Sequence, residues 1–339
     1  MKVLVTGGTG YIGSHTVVEL QQAGYEVIIV DDLSNSDISV LESIAKITGK
    51  KPEFEQFDLS VADKTNDFFQ RNQDINAIIH FAASKAVGES VVKPLLYYRN
   101  NIQSLINILQ CQLEYHIPNI VFSSSCTVYG QPEVLPVTEK TPRKDAESPY
   151  GNTKKVNEDI LTDTIAAYPE LKAIALRYFN PIGAHPSGLI GELPVGVPQN
   201  LVPYITQTAA GLRQKISVFG DDYNTPDGSA IRDYINVVDL AQAHVVAIAR
   251  LLENKNKANY EIFNLGTGNG YSVLELVKGF EKATGVKLNY EIVGRRAGDI
   301  EKIWADTSFA TNELGWVAKK GLEETLASAW AWEKKVRGI

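Results

Sequence analysis

Lys2-Val3-Leu4-Val5-Thr6-Gly7-Gly8-Thr9-Gly10-Tyr11-Ile12-Gly13-Ser14-His15 sets a short β-branched run directly before three glycines spaced GxxGxxG, and an amphipathic stretch from Ile12 to Ala23 follows and ends at Gly24. A strand that feeds a turn without Cβ atoms and then a helix lets backbone N–H groups and the helix N-terminus approach a pyrophosphate. Glycine triplets alone also mark ordinary turns. The stretch gains weight from Asp31, at the end of the second candidate strand. A carboxylate there accepts hydrogen bonds from ribose hydroxyls and repels a 2′-phosphate, so the expected cofactor is NAD rather than NADP. Asp58, after a third candidate strand, could receive the adenine amine or simply begin a turn.

Further along, β-branched runs alternate with longer helical patterns, the signature of βαβ units and a parallel, doubly covered sheet. The candidate strands are Lys2 to Val5, Glu26 to Val30, Phe54 to Phe57, Ala77 to His80, Asn119 to Ser123 and Ala173 to Leu176, with a long helix at about Leu95 to Tyr115. From about Pro181 the texture changes: Pro and Gly crowd Asn180 to Pro203, and later strands such as Lys215 to Phe219 and Glu261 to Asn264 lie among loops. The expected fold class is α/β, a Rossmann-type doubly wound parallel sheet with a smaller α/β C-terminal substrate lobe. Residues 1–180 form the dinucleotide-binding domain, with contributions from later segments, and 181–339 the second lobe.

Composition narrows the partners. The chain has 339 residues, 44% hydrophobic and 22% charged, close to the globular average. Its 33 basic against 40 acidic side chains leave a net charge of −7, which argues against nucleic acid as a partner. Two cysteines without a CxxC pair offer neither a disulfide framework nor a metal site. The apolar run Val3 to Val5 is too short for a secretion signal, and no stretch suits a membrane span, so a soluble cytoplasmic protein is expected.

The chemistry points to Tyr150 and Lys154, one helical turn apart in Ser148-Pro149-Tyr150-Gly151-Asn152-Thr153-Lys154, with Ser148 as N-cap and Pro149 at the first helical position. Such a pair is common by chance. Ser123-Ser124-Ser125 at the carboxyl end of the fifth strand raises its meaning, because ligands of open α/β sheets bind outside strand carboxyl ends. A Ser, a Tyr and a Lys beside a dinucleotide suit hydride transfer: Tyr150 as acid and base, Lys154 lowering its pKa, Ser125 holding the substrate hydroxyl. Bringing a phenol from about 10 to about 7 takes roughly 4 kcal/mol. An ammonium about 6 Å away at an effective dielectric near 20 supplies only about 2.8 kcal/mol. The positive charge of an oxidised nicotinamide makes up the difference.

These residues resemble the extended short-chain dehydrogenase/reductases, and among them the enzymes that epimerise UDP-hexoses at C4. The resemblance runs from Val3 to Trp332 and rests on the glycine loop, on His80-Phe81-Ala82-Ala83-Ser84-Lys85-Ala86-Val87-Gly88-Glu89-Ser90, on Ser123-Ser124-Ser125-Cys126-Thr127-Val128-Tyr129-Gly130, on Arg177-Tyr178-Phe179-Asn180-Pro181-Ile182-Gly183-Ala184-His185-Pro186-Ser187-Gly188 and on Arg232-Asp233-Tyr234-Ile235. Related dehydratases usually carry an Asp-Glu pair after the active-site Thr. Here Ser125 precedes Cys126-Thr127, so dehydration is not expected.

The resemblance implies interconversion of UDP-glucose and UDP-galactose through a 4-keto sugar, with NAD retained and a homodimer formed through helices near Leu95 to Tyr115 and Tyr150 to Tyr168. It implies cofactor contacts at Gly7, Gly10, Tyr11, Ile12, Gly13, Asp31, Asn35, Asp58, Leu59, Phe81, Ala82, Lys85, Asn100, Ser123, Tyr150, Lys154 and Tyr178. Sugar-nucleotide contacts fall on Lys85, Ser125, Tyr150, Asn180, Asn200, Phe219, Arg232, Arg296, Asp299 and Ile303. Phe219 would lie near uracil. In a net-acidic protein, Arg232 and Arg296 suit the diphosphate, their plain alternative being salt bridges. For Asn180 and Asn200 the alternative is a loop-stabilising amide. Ile303 takes the place where a bulky or a small residue separates enzymes restricted to unacetylated sugars from broader ones, which leaves UDP-N-acetylglucosamine open as an alternative substrate. His80 is expected to be a core histidine, His185 part of a turn, Cys126 a small buried hydrophobe, and Tyr97, Tyr98, Trp330 and Trp332 packing residues.

Overall fold

The structure is a computed structural model and describes residues 1–296 and 299–339. Its largest element is a seven-stranded parallel sheet of β1 (Lys2–Thr6), β2 (Glu26–Asp31), β3 (Glu53–Gln56), β4 (Ile75–His80), β5 (Asn119–Ser123), β6 (Lys172–Tyr178) and a late strand at Tyr260–Leu265. Alternation along β1 explains why helices cover both faces. Val3 and Val5 point into one apolar layer and Leu4 into the other, and Val27 and Ile29 part from Ile28 and Val30 in the same way. Against these faces lie α1 (Tyr11–Gln22), α2 (Val40–Thr48), α3 (Ala62–Arg71), α5 (Pro94–Glu114) and α6 (Pro149–Ala167), while the short α4 (Val87–Val92) rests on α5 and α6. Gly24, at φ 88°, follows the C-cap Ala23 of α1 in the left-handed conformation a helix end favours.

After β6 the chain forms β7 (Asn180–Ile182), α7 (Leu201–Ala209), β8 (Ile216–Phe219), β9 (Ile231–Asn236) and α8 (Val237–Leu252), then rejoins the large sheet as β10 (Tyr260–Leu265) beside β6. The assignment of Glu261 to Asn264 to the second lobe is thereby corrected. Leu240, Ala243, Ala247 and Ile248 of α8 share the apolar layer of α1, and that packing returns the segment to the sheet. The remaining elements are β11 (Gly270–Ser272), α9 (Val273–Thr284), β12 (Tyr290–Val293), β13 (Lys302–Ile303) and α10 (Leu322–Arg337). Strands β11, β9 and β13 with β7 make a small mixed sheet, and β8 pairs with β12. A separate apolar cluster under α7, α9 and α10 supports this region.

The strand order β10-β6-β5-β4-β1-β2-β3 reverses direction between β4 and β1. A crevice opens at such a point, at the carboxyl ends of the strands. Gly7, Asp31, Phe81, Ser124 and Tyr178 all fall at that edge. Among the described residues no helix is long and apolar enough to cross a membrane.

Candidate active site

The glycine turn explains its own composition. Gly7 has φ 70°, and a Cβ on it would lie 2.8 Å from the Ala82 backbone nitrogen. One on Gly13 would sit 2.2 Å from the Gly7 carbonyl oxygen, and one on Gly10 would meet the same oxygen at 3.2 Å. Gly10 is the N-cap of α1, no side chain caps it, and the first turn holds no acid. The positive end of the helix therefore faces the crevice uncompensated. At the end of β2, Asp31 accepts hydrogen bonds from Thr9 N (3.2 Å), Leu33 N (3.0 Å) and Ser36 Oγ (3.2 Å). The carboxylate is thus held between two loops with lone-pair capacity left over. A cradle that only glycines can form, a bare helix N-terminus and an anchored carboxylate beside it fit a dinucleotide.

The other expected cofactor residues divide. Phe81 and Ala82 follow β4, with their backbone nitrogens bound to the Thr6 carbonyl (3.1 Å) and hydroxyl (3.3 Å). Ile12 packs partly against the core, and the Tyr11 hydroxyl donates to the Gly183 carbonyl at 2.7 Å, tying the first helix to the second region. Asn35 is exposed in the loop after β2. Asp58 takes the turn role, accepting from Ser60 N at 2.8 Å. Leu59 is buried, and its carbonyl accepts from Asn107 Nδ2 (2.8 Å) and Thr65 Oγ1 (3.0 Å), so only its N–H remains for a ligand. Asn100 Nδ2 donates to Ser84 Oγ at 3.0 Å. Its neighbour Asn101, which the sequence did not single out, holds the Ser84 backbone at both N (2.8 Å) and O (3.0 Å).

At the chemical centre, Ser148 caps α6 by accepting from Gly151 N at 3.1 Å, and Pro149 opens the helix. Tyr150 and Lys154 then project from one face. Lys154 Nζ donates to the Ser123 carbonyl at 2.6 Å and lies 5.9 Å from the centre of the Tyr150 ring. The three serines do not act alike. Ser123 Oγ is hydrogen-bonded to the Tyr178 hydroxyl, and Ser124 Oγ donates to Glu158 Oε1 at 2.6 Å. Ser125 Oγ accepts from Thr127 N at 3.2 Å and interacts with Tyr150. The hydroxyls of Ser123 and Ser124 are thus engaged within the fold, and the Ser123 carbonyl holds Lys154.

Electrostatics also revise the expectation. Burial, with Tyr178 adding to it, raises the Tyr150 pKa, and only the Ser125 hydrogen bond works the other way. Burial likewise lowers the Lys154 pKa to about 7, against the pull of Glu158. The chain by itself keeps the phenol neutral and the lysine only partly charged near neutrality. The shortfall expected for Lys154 acting alone is therefore larger than the simple charge–charge figure, because burial works against both the phenolate and the ammonium.

The second region supplies the far wall. Arg232 Nη2 lies 3.8 Å from Asp299 Oδ1, while Arg296 forms a fork on the same carboxylate at 2.7 and 3.1 Å. The guanidinium of Arg296 also covers the half-exposed Phe219 ring, 5.5 Å from its centre. Both arginines, Phe219 and Asp299 thus converge, with the salt bridges present. Asn180 is half-buried in β7 opposite Tyr234. Asn200 Nδ2 donates to Glu192 Oε1 at 2.6 Å, and Lys85 Nζ stands 3.5 Å from the same oxygen. Glu192 was not anticipated, since a lone Glu in a Pro/Gly loop carries no pattern. Ile303 is only 1% exposed, packed with Cys126, Phe179 and Ala305, so it belongs to the packing of the wall rather than its open lining.

The residues set aside as structural occupy such places. His80 Nδ1 is hydrogen-bonded to Thr6 Oγ1 (2.8 Å), and His185 Nδ1 to Ser187 Oγ (2.8 Å) within its turn. Cys126 is buried, its thiol pushed up to about 12 by burial. Tyr97 donates to Glu89 Oε2 at 2.9 Å, Tyr98 accepts from Asn152 Nδ2 at 2.7 Å, Trp330 packs on Phe280, and Trp332 donates to the Glu192 carbonyl at 2.9 Å.

Known proteins are similar to this chain in sequence and fold over nearly its whole length. A family model described as GDP-mannose 4,6 dehydratase matches residues 4–329. The UDP-glucose 4-epimerase of Bacillus subtilis is 51% identical over 333 residues, 98% of this chain and 97% of that one. That of Haemophilus influenzae is 50% identical over 334 residues, 98% of each. Among solved structures, UDP-glucose 4-epimerase from Stenotrophomonas maltophila with bound NAD and formylated UDP-arabinopyranose superposes with a TM-score of 0.96 at 48% identity, covering 100% of both chains. The enzyme from Bifidobacterium longum in complex with NAD+ and UDP gives 0.95 at 46% identity, covering 99% of this chain and 98% of that one.

Proposed function

The chain belongs to the extended short-chain dehydrogenase/reductases, in the branch that the UDP-glucose 4-epimerases represent, and we propose that it interconverts UDP-glucose and UDP-galactose with a resident NAD. The observation that carries the proposal is the convergence of Ser125, Tyr150 and Lys154 at the carboxyl end of β5, with Lys154 locked on the Ser123 carbonyl and the glycine cradle nearby. Gly7, Gly10, Tyr11, Ile12 and Gly13 would hold the pyrophosphate, and Asp31 the adenosine ribose. When bound, NAD supplies an acceptor for the C4 hydride and gives it back to the opposite face of the 4-keto sugar.

The residues of the chain do the rest. Tyr150 takes the C4 hydroxyl proton while Ser125 shares the hydrogen bond, and Tyr150 returns the proton after the ketose has turned over. Lys154 holds the ribose and lends charge to the phenolate. Because burial keeps Tyr150 neutral in the chain alone, the base acts only once more positive charge enters the site, which ties proton removal to a loaded enzyme. Arg232 and Arg296 would release Asp299 in part to clasp the diphosphate, and Asp299 would turn to the uridine ribose. Phe219 sits at the uracil end. A firm hold on UDP and a loose one on the hexose let remote binding energy retain the ketose while its ring rotates. Asn180, Asn200 and Lys85 border the sugar.

Preference for UDP-N-acetylglucosamine is not favoured, since the relatives near 50% identity are UDP-glucose 4-epimerases. The enzyme works in the cytoplasm as a homodimer through α5 and α6; Val91 and Val92 of α4 and Leu95 and Leu96 of α5 are exposed apolar side chains beside that surface. Light scattering giving a monomer would reject the dimer. Purified protein given UDP-galactose without added NAD should produce UDP-glucose. No product, even with NAD supplied, rejects the activity.

A further inference from the structure

We infer that Glu158 is a positioning residue for this reaction: it pins Ser124 at the end of β5 and lies one helical turn beyond Lys154, so it fixes Ser125, Tyr150 and Lys154 relative to one another and sets a buried carboxylate beside the lysine. The inference rests on the epimerase reading. Tyr150, Lys154 and Glu158 recur every four residues of α6 and share one face. The Glu158 carboxylate is 1% exposed and every hydrogen bond it accepts comes from another part of the fold. Oε1 accepts from Ser124 Oγ (2.6 Å) and Arg177 Nε (2.8 Å); Oε2 accepts from Arg177 Nη2 (2.6 Å) and Arg143 Nη1 (3.3 Å).

Ser124 is the link to the chemistry. It stands between Ser123, whose carbonyl receives the Lys154 ammonium at 2.6 Å, and Ser125, whose hydroxyl faces Tyr150. One carboxylate therefore clamps the strand end that presents Ser125 to the helix that presents the other two working groups, Tyr150 and Lys154. A buried ion pair is often no more stabilising than apolar residues of the same volume, so stability alone gives little reason for it. The charged and titratable groups that face Glu158 are Arg177 from β6, Arg143 from the segment before α6, Lys154 and Asp159 from α6, and the buried Tyr260 phenol from β10. Lys154, lowered to about 7 by burial, is opposed by Glu158. The carboxylate thus works against loss of the lysine's proton.

The test uses E158Q and S124A in the full-length protein as purified with its cofactor, with turnover of UDP-galactose followed from neutral to alkaline pH. E158Q should lower kcat by about 10- to 100-fold with KM near wild type, and the alkaline limb of kcat should move by about one unit to lower pH as the lysine loses its charge earlier. An unmoved limb, whatever the loss in kcat, makes Glu158 merely structural and overturns the inference. If circular dichroism shows E158Q unfolded, S124A decides, since it leaves the ion pair intact: a several-fold lower kcat well below its melting transition supports the clamp, and wild-type kcat overturns it. An inactive wild-type enzyme would instead sink the epimerase reading, so the two failures are separable.

Discussion

Tyr150 carries its chemistry on a single oxygen, which makes Tyr150→Phe the sharpest residue-level change. The ring keeps its packing while the proton acceptor disappears, so kcat should fall by about three orders of magnitude, within the usual range for a positioned acid and base, while the NAD released on denaturation stays stoichiometric. Near-normal turnover would remove Tyr150 from the mechanism. Gly7→Ala tests the opposite end of the site. At φ 70° with a Cβ 2.8 Å from the Ala82 nitrogen, alanine must both strain the turn and push the loop after β4, at a cost of about 1–3 kcal/mol. Cofactor content, read from the ultraviolet spectrum of the purified protein, should drop sharply; full occupancy would show that the cradle tolerates the change. Tyr150, Lys154 and Ser125 could be singled out from local spacing and from a strand end. What holds the other two serines was not legible, because Glu158 and Tyr178, the partners of Ser124 and Ser123, are brought there by α6 and β6. The helical interval from Lys154 to Glu158 was in plain view, and a search of that face for a carboxylate would have found it.

Helix α6 shows how an element turns a local signal into site geometry. Its first turn contains Tyr150, so the N-cap Ser148, accepting from Gly151 N at 3.1 Å, sets where the phenol points. Ser148→Ala should cost about 1 kcal/mol, seen as a melting temperature lower by about 1–3 °C, together with a several-fold loss of kcat because the frayed turn bears the base. Equal stability and equal turnover would mean that Pro149 suffices to start the helix. The six strands of the first half could be read from alternating faces and glycine turns, each to within a residue or two of its observed bounds. The fate of Glu261 to Asn264 could not. A short apolar strand is the same string in either lobe, and its place beside β6 is settled by α8, whose apolar face packs on α1 far away in sequence. Long-range pairing of this kind leaves no local mark. The same holds for Asn200 and Lys85, which meet at Glu192 only after the segment following β7 has folded back.

For the whole molecule, three deeply buried histidines set an acid limit. Burial lowers the pKa of His15 and His80 to about 3 and that of His244 to about 4, and each is at most 2% exposed. In the unfolded chain these imidazoles titrate near about 6.5. Below that pH the unfolded state binds protons that the fold refuses, so stability is intact above about 6.5 and declines as the pH falls toward the folded values. The decline reaches roughly 1.4 kcal/mol per pH unit for each histidine, about 4 kcal/mol per unit for the three together. Burial raises the carboxyls of Glu19, Glu139 and Asp233, which pull in the opposite direction once the pH nears the carboxyl range. Wherever those carboxyls are protonated in the fold while still ionised in the unfolded chain they offset part of the histidine effect, so the figure for the three histidines is an upper bound. Two of the three rings border the crevice: His244 packs 4.7 Å from Phe81, and the charge of Lys154 helps to depress His80. Acid should consequently loosen the cofactor site as it destabilises the fold. Calorimetric melting from pH 7 to 5 should show the transition falling steadily, with NAD release accompanying it; a melting temperature constant across that interval would mean that the three histidines accept protons without unfolding the chain.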